Sequence, residues 1–525
     1  MSKKSLIKSA SVISAGTFFS RLLGFLRDVL MAKVFGTGWL AQAFFIAFRI
    51  PNMFRELAAE GASNAALVPV FSEYLATRKR QDFWKLVNTA FVAFVIVVSI
   101  IVLIGAIFSP LFVRIVAPGF IQAPEKLNLT IQINRPLFIY LLLVAVAGFV
   151  MAVLHTFKSF VSPAFSPCIF NIVLIMGIVL ADNSTAGVWR LVWAVLLAGV
   201  LQIMIQLPAM FRNGFRIKPF EFQKKIFQHP GVKLIGRLLF PRILGVAIYQ
   251  LNILVDTVFA SFSFFVQEGS IAAIYYASRL IQFPLGLFGH SMSNAALPTL
   301  SEFSARKEMD KFAETVEFGL TNILFVMIPA TFGLIILSQP LIRIMFERGA
   351  FSSYSTMVTS VALAFYAVGL CGYGANKFLA LCFNDMQNTI IPVKISGLGL
   401  AMNIIFNTLF VVVLKTKIAG LAFASSLSAI ISAFILYYSL RRRVSQINSR
   451  RIIIEAAKML LAGIIMSLVI FILLQELHSL NRLISLGITI CCSVVVYVIV
   501  CFYLKIYQAV HIFKWILKRK WSLSG

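Results

Sequence analysis

The chain has 525 residues, 60% of them hydrophobic and only 13% charged, against roughly 25% charged in an average soluble domain. That excludes a water-soluble globule of this size and intrinsic disorder, and six Cys are too few for a disulfide scaffold. The 47 Lys and Arg outnumber 19 Asp and Glu, a net charge of +28, but the excess sits mostly in short loops, where membrane topology collects it. No polar domain is present to carry a nucleic-acid surface.

The remaining class is an all-α polytopic membrane protein with about fourteen transmembrane helices. Lys3, Lys4 and Lys8 precede an apolar stretch, but Arg21, Arg27 and Asp28 interrupt it too soon for a signal peptide, so it reads as a retained first span. Six spans are expected at 9–36, 40–75 (broken at Pro51), 84–116, 131–157, 163–181 and 188–211, forming a first lobe over 1–211. A basic amphipathic connector follows at 212–232. Six more spans, 233–263, 271–303, 315–346, 356–383, 390–414 and 418–440, form a second lobe over 233–440. A basic linker, 441–455, leads to a C-terminal pair at 456–475 and 483–506 and a basic tail, within 456–525. An even number of spans puts both termini on one side. Alternate loops carry about 25 Lys and Arg on that side and about 8 on the other, so both termini are expected in the cytoplasm.

An internal repeat supports two like-oriented lobes. Ser63-Asn64-Ala65-Ala66-Leu67, with Pro69 and Ser72-Glu73-Tyr74, returns as Ser293-Asn294-Ala295-Ala296-Leu297, with Pro298 and Ser301-Glu302-Phe303. Pro163 and Pro392, each opening a fifth span, keep nearly the same offset. Six spans is an even number, so the halves are related by an axis along the membrane normal, an arrangement whose substrate site usually lies between halves.

Cysteine and histidine carry little chemistry. Cys168, Cys371, Cys382, Cys491, Cys492 and Cys501 lie in apolar segments without a C-x-x-C pair or metal spacing, and read as buried, inert thiols. No H-E-x-x-H occurs.

The charges inside the spans carry the functional argument. An Arg at a helix centre costs about 2.5–3.5 kcal/mol on the insertion scale, so Arg21, Arg27, Asp28, Arg49, Arg55, Glu56, Glu60 and Arg279 must pair, snorkel or face a polar interior. Arg21 and Asp28, seven apart, share a helical face. Arg49, Asn52, Glu56 and Glu60 form a continuous stripe in the second span, where Pro51 should break or kink the helix. Arg237 and Arg242 sit near the start of their span and read as snorkelling. Asp256, deep in the seventh span, is a candidate site for a small cation, and a neutral or hydrogen-bonded acid fits equally well. Arginines in excess of carboxylates suit an anion, because the guanidinium fork matches phosphate oxygens in pairs. The physical reading is a transporter or flippase of a phosphate-bearing substrate. No P-loop is present, since Gly397-Leu398-Gly399 lacks its Lys-Ser/Thr. The driving force is then expected to be the membrane potential or a monovalent cation, with no cofactor.

The run Phe19-Ser20-Arg21-Leu22-Leu23-Gly24-Phe25-Leu26-Arg27-Asp28 resembles the first-helix signature of the MurJ (MviN) lipid II flippases. Ala43-Phe44-Phe45-Ile46-Ala47-Phe48-Arg49-Ile50-Pro51-Asn52, Arg55-Glu56-Leu57-Ala58-Ala59-Glu60-Gly61-Ala62, Ala117-Pro118-Gly119-Phe120 and Tyr275-Tyr276-Ala277-Ser278-Arg279-Leu280 are similar in the same order. The resemblance implies the fold of the multidrug/oligosaccharidyl-lipid/polysaccharide exporter superfamily: two six-helix lobes around a central cavity, plus a C-terminal helix pair. It implies transport of lipid II, the undecaprenyl-diphosphate-linked peptidoglycan precursor, from the inner to the outer leaflet of the bacterial inner membrane by alternating access. Membrane lipids would be its other partners, with no obligate protein partner evident. Arg21, Arg27, Arg55 and Arg279 would be the cavity arginines, with Glu60 beside them; Asp28, Arg49 and Asn52 join them from the face analysis. This sequence has Gln42, Ser278 and Gln282 where some members carry an acid, implying a more cationic cavity. A flippase for another polyprenyl-diphosphate glycan fits much of this pattern. A drug exporter should favour acids over Arg. A membrane-bound polyprenyl-phosphate transferase would need paired Asp for a metal-bound diphosphate, and no D-x-x-D occurs.

Overall fold

The computed structural model describes residues 3–56, 61–215 and 226–511. Glu60 and residues 216–225 of the expected 212–232 connector therefore lie outside the described residues. Among the described residues the regular elements are all helical. Ten helices are long and apolar enough to cross a membrane, or eleven if one bent pair is counted as a single span. The expected spans 9–36, 40–75 and 233–263 are largely helical over their described residues but not in that set, so length and composition alone do not reach fourteen.

The chain divides into two compact units. The first, Met1–Phe262 with Arg348–Phe351, holds α1 (Lys3–Phe35), α2 (Trp39–Arg55), α3 (Gly61–Thr77), α4 (Arg80–Ile107) and α5 (Ser109–Val116). It continues with α6 (Pro124–Thr156), α7 (Val161–Val179), α8 (Thr185–Met204), α9 (Leu207–Arg212) and α10 (Pro230–Ser261). The unit is organised around α6, which packs against α2, α3, α4 and α8, while α7 joins α1 to α8. Leu67, Phe71, Phe83, Leu86, Phe149, Val153, Met210 and Ile235 form a buried cluster linking α3, α4, α6, α9 and α10. The sequence reading places α10 at the head of the second lobe. The structure groups it with the first, because it packs on α3 and α4.

Pro51 does not break α2, contrary to expectation; the helix runs through it to Arg55. A proline in a helix interior leaves the carbonyl four residues earlier without its usual donor. Here that carbonyl, Ala47 O, accepts from Asn134 Nδ2 of α6 at 2.7 Å, and Asn134 Oδ1 accepts from Ser109 Oγ at 2.7 Å. Asn134 and Ser109 are fully buried, so α2 exchanges a lost backbone bond for an interhelical one.

The second unit holds α11 (Ser263–Val266), α12 (Ser270–Pro284), α13 (His290–Arg306), α14 (Met309–Ile336), α15 (Ser338–Phe346), α16 (Ser353–Val368) and α17 (Leu370–Asp385). It ends with α18 (Ile390–Asn407), α19 (Lys417–Arg441), α20 (Ser449–Glu476) and α21 (Arg482–Tyr503). α19 packs against α16, α17 and α18, and the C-terminal helices join through α14 against α20. Phe325, Ile328, Met459, Met466, Ile470, Leu486 and Tyr497 are buried there, and Tyr497 Oη donates to Phe325 O at 3.0 Å. The helix α20 starts at Ser449, inside the expected 441–455 linker, because Asn448 Oδ1 accepts from Arg451 N at 3.1 Å as an N-cap.

The repeat extends to whole helices. Elements starting at 80, 109, 124 and 161 have counterparts starting at 309, 338, 353 and 390, an offset of 229 throughout. The two copies differ at one joint. α6 is a single helix of 33 residues, whereas α16 and α17 meet at Gly369 with a 46° bend. A Cβ at Gly369 would lie 2.7 Å from Ser426 Cα of α19. Ser426 Oγ stands 2.7 Å from Phe365 O and 3.2 Å from Tyr366 O, satisfying carbonyls at the bend.

Candidate functional site

In the first unit, Arg27 is held by two neighbours. Its Nε and Nη2 converge on one oxygen, Asp28 Oδ1, at 3.0 and 2.7 Å, and its Nη1 donates to Asn171 Oδ1 of α7 at 3.1 Å. Asn171 Nδ2 in turn donates to Ser20 O and Pro167 O, both at 3.1 Å, so one amide ties α7 to α1 and orients the guanidinium. Asp28 is buried and Arg21 is exposed. The shared face of Arg21 and Asp28 therefore does not become a contact, because seven residues separate them by about 10 Å along the axis.

At the end of α2, Arg55 Nε donates to Asn52 Oδ1 at 2.8 Å and its Nη2 lies 4.0 Å from Glu56 Oε1. Asn52 Nδ2 reaches Glu56 Oε1 at 3.5 Å, and Gln250 of α10 donates to Glu56 Oε2. The expected stripe is thus real for Asn52 and Glu56, with Arg49 half-buried one turn earlier. Arg27 and Arg55 each have an acid beside them on their own helix, so neither is a bare cation.

Sequence reasoning missed Lys126. It precedes the span expected at 131–157, but Pro124 opens α6, which places Lys126 in the first turn. It is 6% exposed, with Nζ 3.1 Å from Gln42 Oε1 and 4.3 Å from the Phe120 ring centroid. Gln42 Nε2 donates to Thr37 O at 3.2 Å. An amide oxygen and an aromatic face thus flank a buried ammonium group.

In the second unit, Arg279 Nη2 donates to Tyr275 Oη at 2.8 Å, and Arg279 Cζ lies 4.8 Å from the ring centroid one turn away on α12. Ser278 Oγ donates to Tyr275 O at 2.8 Å, returning its hydroxyl to its own helix; Gln282 is exposed. Asp256 is half-buried on α10. Among the described residues, no group of three or more His, Cys, Asp or Glu is gathered to hold a metal ion. The expectation of buried thiols holds for Cys168, Cys382 and Cys501 but not for Cys491 and Cys492, which lie on the exposed face of α21.

The family described as Lipid II flippase MurJ matches residues 31–516. The chain belongs to the MurJ family. The match starts beyond Arg21, Arg27 and Asp28, and includes Arg55, Lys126 and Arg279. The probable lipid II flippase MurJ of Vibrio cholerae is 33% identical over 497 residues, covering 93% of this chain and 92% of that protein. Its counterpart in Haemophilus influenzae is also 33% identical, covering 88% and 92%. A solved structure of lipid II flippase MurJ in an inward closed conformation superposes with a TM-score of 0.77 at 28% identity, covering 94% of this chain and 98% of that one. An inward-facing multidrug resistance MATE family transporter of the MOP superfamily superposes at 0.67 with 13% identity, covering 82% and 95%, a likeness of fold alone. The chain is an all-helical integral membrane protein of a transporter family, not a catalytic enzyme.

Proposed function

We propose that this protein is a flippase that moves lipid II from the inner to the outer leaflet of the bacterial inner membrane by alternating access, with both termini in the cytoplasm. The observation that carries the reading is the family match over residues 31–516, joined to identities near one third over nine-tenths of the Vibrio protein. Arg21, Arg27, Arg55 and Arg279 take part in binding the diphosphate, helped by Asp28, Arg49, Asn52 and Glu60, which set their positions or the local charge. The guanidinium fork suits that ligand, because it stays charged and meets two phosphate oxygens at once. With no cofactor, the membrane potential supplies the drive. Two charges moving outward gain roughly 4–5 kcal/mol at 100 mV, and the same field returns an emptied cationic site inward. A monovalent cation at Asp256 assists that return.

The test is depletion followed by a leaflet assay. Lipid II is expected to accumulate in the cytoplasmic leaflet while another polyprenyl-linked glycan still reaches the outer face. Accumulation of the other glycan instead would reassign the cargo.

A further inference from the structure

The N-terminal turns of α6 and α8 and the start of α2 border an open cleft of about 430 Å³ lined by Trp39, Glu125, Asn128, Leu129, Gln132, Thr185 and Trp189. The Arg27, Arg55, Lys126 and Arg279 contacts do not include any of these side chains. Two indoles, two amides and one carboxylate around one pocket are the groups that recognise a primary ammonium: π-faces attract the cation, and the carboxylate and amide oxygens accept its hydrogens. Glu125 is exposed and makes no ion pair among the described residues. The nearest basic residue along α8, Arg190, is already engaged by Asp182 at 2.5 Å and Leu180 O at 3.0 Å.

The helix α8 that lines the pocket also carries an apolar track. Below Trp189, the same face of α8 presents Trp193, Leu197, Val200 and Met204, all exposed at helical spacing. On a membrane-spanning helix such a stripe faces acyl chains. A polar, aromatic pocket at the start of the span, above an apolar stripe, has the layout of a lipid: headgroup above, tail below.

We propose that this pocket binds the headgroup of an ethanolamine phospholipid, with its ammonium against Glu125 between Trp39 and Trp189 and one acyl chain along the α8 stripe. The site is independent of the cargo, so its failure would leave the flippase reading untouched.

The test is lipid retention by the purified full chain in detergent, read by native mass spectrometry after loading with phosphatidylethanolamine, phosphatidylglycerol or phosphatidylcholine. Phosphatidylethanolamine is expected to be retained best. Glu125→Gln is expected to lower its retention about tenfold, the scale of one lost hydrogen bond to a charged group, and Trp189→Leu about threefold to fivefold, the scale of one lost cation–π contact. Melting in lipid-free detergent should not change, because Glu125 is at the surface and Trp189 only part-covered. Phosphatidylglycerol or phosphatidylcholine held as well as phosphatidylethanolamine, or unchanged retention in both variants, would overturn the proposal.

Discussion

Arg27 Nη2 stands 2.7 Å from Asp28 Oδ1, an ion pair between consecutive residues of α1 whose acid is 3% exposed. Together with Asn171 this pair fixes the guanidinium before any ligand arrives, which reduces the ordering that binding would otherwise require. A site of this kind depends on the shape of the side chain as well as on its charge. Arg27→Lys keeps a cation beside Asp28 but loses the planar fork. It is expected to fold normally and to transport at least about tenfold more slowly, the scale of one charge-assisted hydrogen bond. Arg27→Ala and Arg279→Ala should abolish transport at normal expression. Normal transport in both alanine variants, measured by the leaflet assay, would remove these residues from the site.

Lys126 and Gln42 offer a test of the buried cation. Gln42→Glu places a carboxylate where Nζ now has an amide oxygen at 3.1 Å, turning a hydrogen bond between a cation and a neutral amide into a buried ion pair. Glu also lacks the Nε2 donor that Gln42 gives to Thr37 O at 3.2 Å, so the melting temperature is expected to stay near the wild-type value while affinity for an anionic cargo falls with the local positive field. A lower melting temperature would mean that a second charge cannot be accommodated at this depth.

Much of the fold could be read from the sequence, because a lipid-facing helix must be a long apolar run and little else satisfies that constraint. The duplicated Ser-Asn-Ala-Ala-Leu phrase marks the same repeat that the helix starts display at a constant offset. What escaped depends on contacts between segments far apart in sequence. Lys126 looks like a loop residue unless Pro124 is taken as a helix start. The depth of Asp28 and its choice of Arg27 over Arg21 depend on Asn171, 144 residues from Arg27. The assignment of α10 to the first unit depends on its packing against α3 and α4, and no periodicity in α10 itself encodes that.

Glu347, in the turn between α15 and α16, accepts from Thr356 Oγ1 at 2.6 Å, from Arg343 Nε at 3.2 Å and from Ser353 Oγ at 3.3 Å. The Thr356 hydroxyl first, then Arg343 and Ser353, hold its carboxyl below the usual glutamate range against the opposing effect of partial burial. A depressed folded pKa means that the unfolded chain takes up the proton first as pH falls. The contribution is therefore complete above the ordinary glutamate pKa, and is lost as pH drops through the lower folded value. Thermal melts of wild type and Glu347→Gln should differ at pH 7 by about 1 kcal/mol or less, given solvent screening at this partly exposed turn. The two should converge toward pH 3. A gap that stays constant over that range would assign the difference to packing.

The Asn134 bridge to α2 makes the most discriminating prediction, because two opposite changes should compensate. Pro51 leaves Ala47 O without an intrahelical donor, and Asn134 Nδ2 supplies one from α6. Asn134→Ala strips that donor from a buried carbonyl and costs Ser109 Oγ its 2.7 Å acceptor, leaving it Ile131 O at 3.4 Å, so it is expected to destabilise by about 1–3 kcal/mol. Pro51→Ala restores an N–H at position 51, which can bond to Ala47 O within the helix. Alone it should change stability little, since Ala47 O would then have two donors for two lone pairs. In the Asn134→Ala background it should recover a good part of the loss, giving a coupling energy of at least about 0.5 kcal/mol in the double-mutant cycle. Denaturation in a fixed detergent measures all four corners. Strictly additive effects would mean that Asn134 stabilises the unit by filling space between α2 and α6, and that the proline-freed carbonyl is satisfied in some other way.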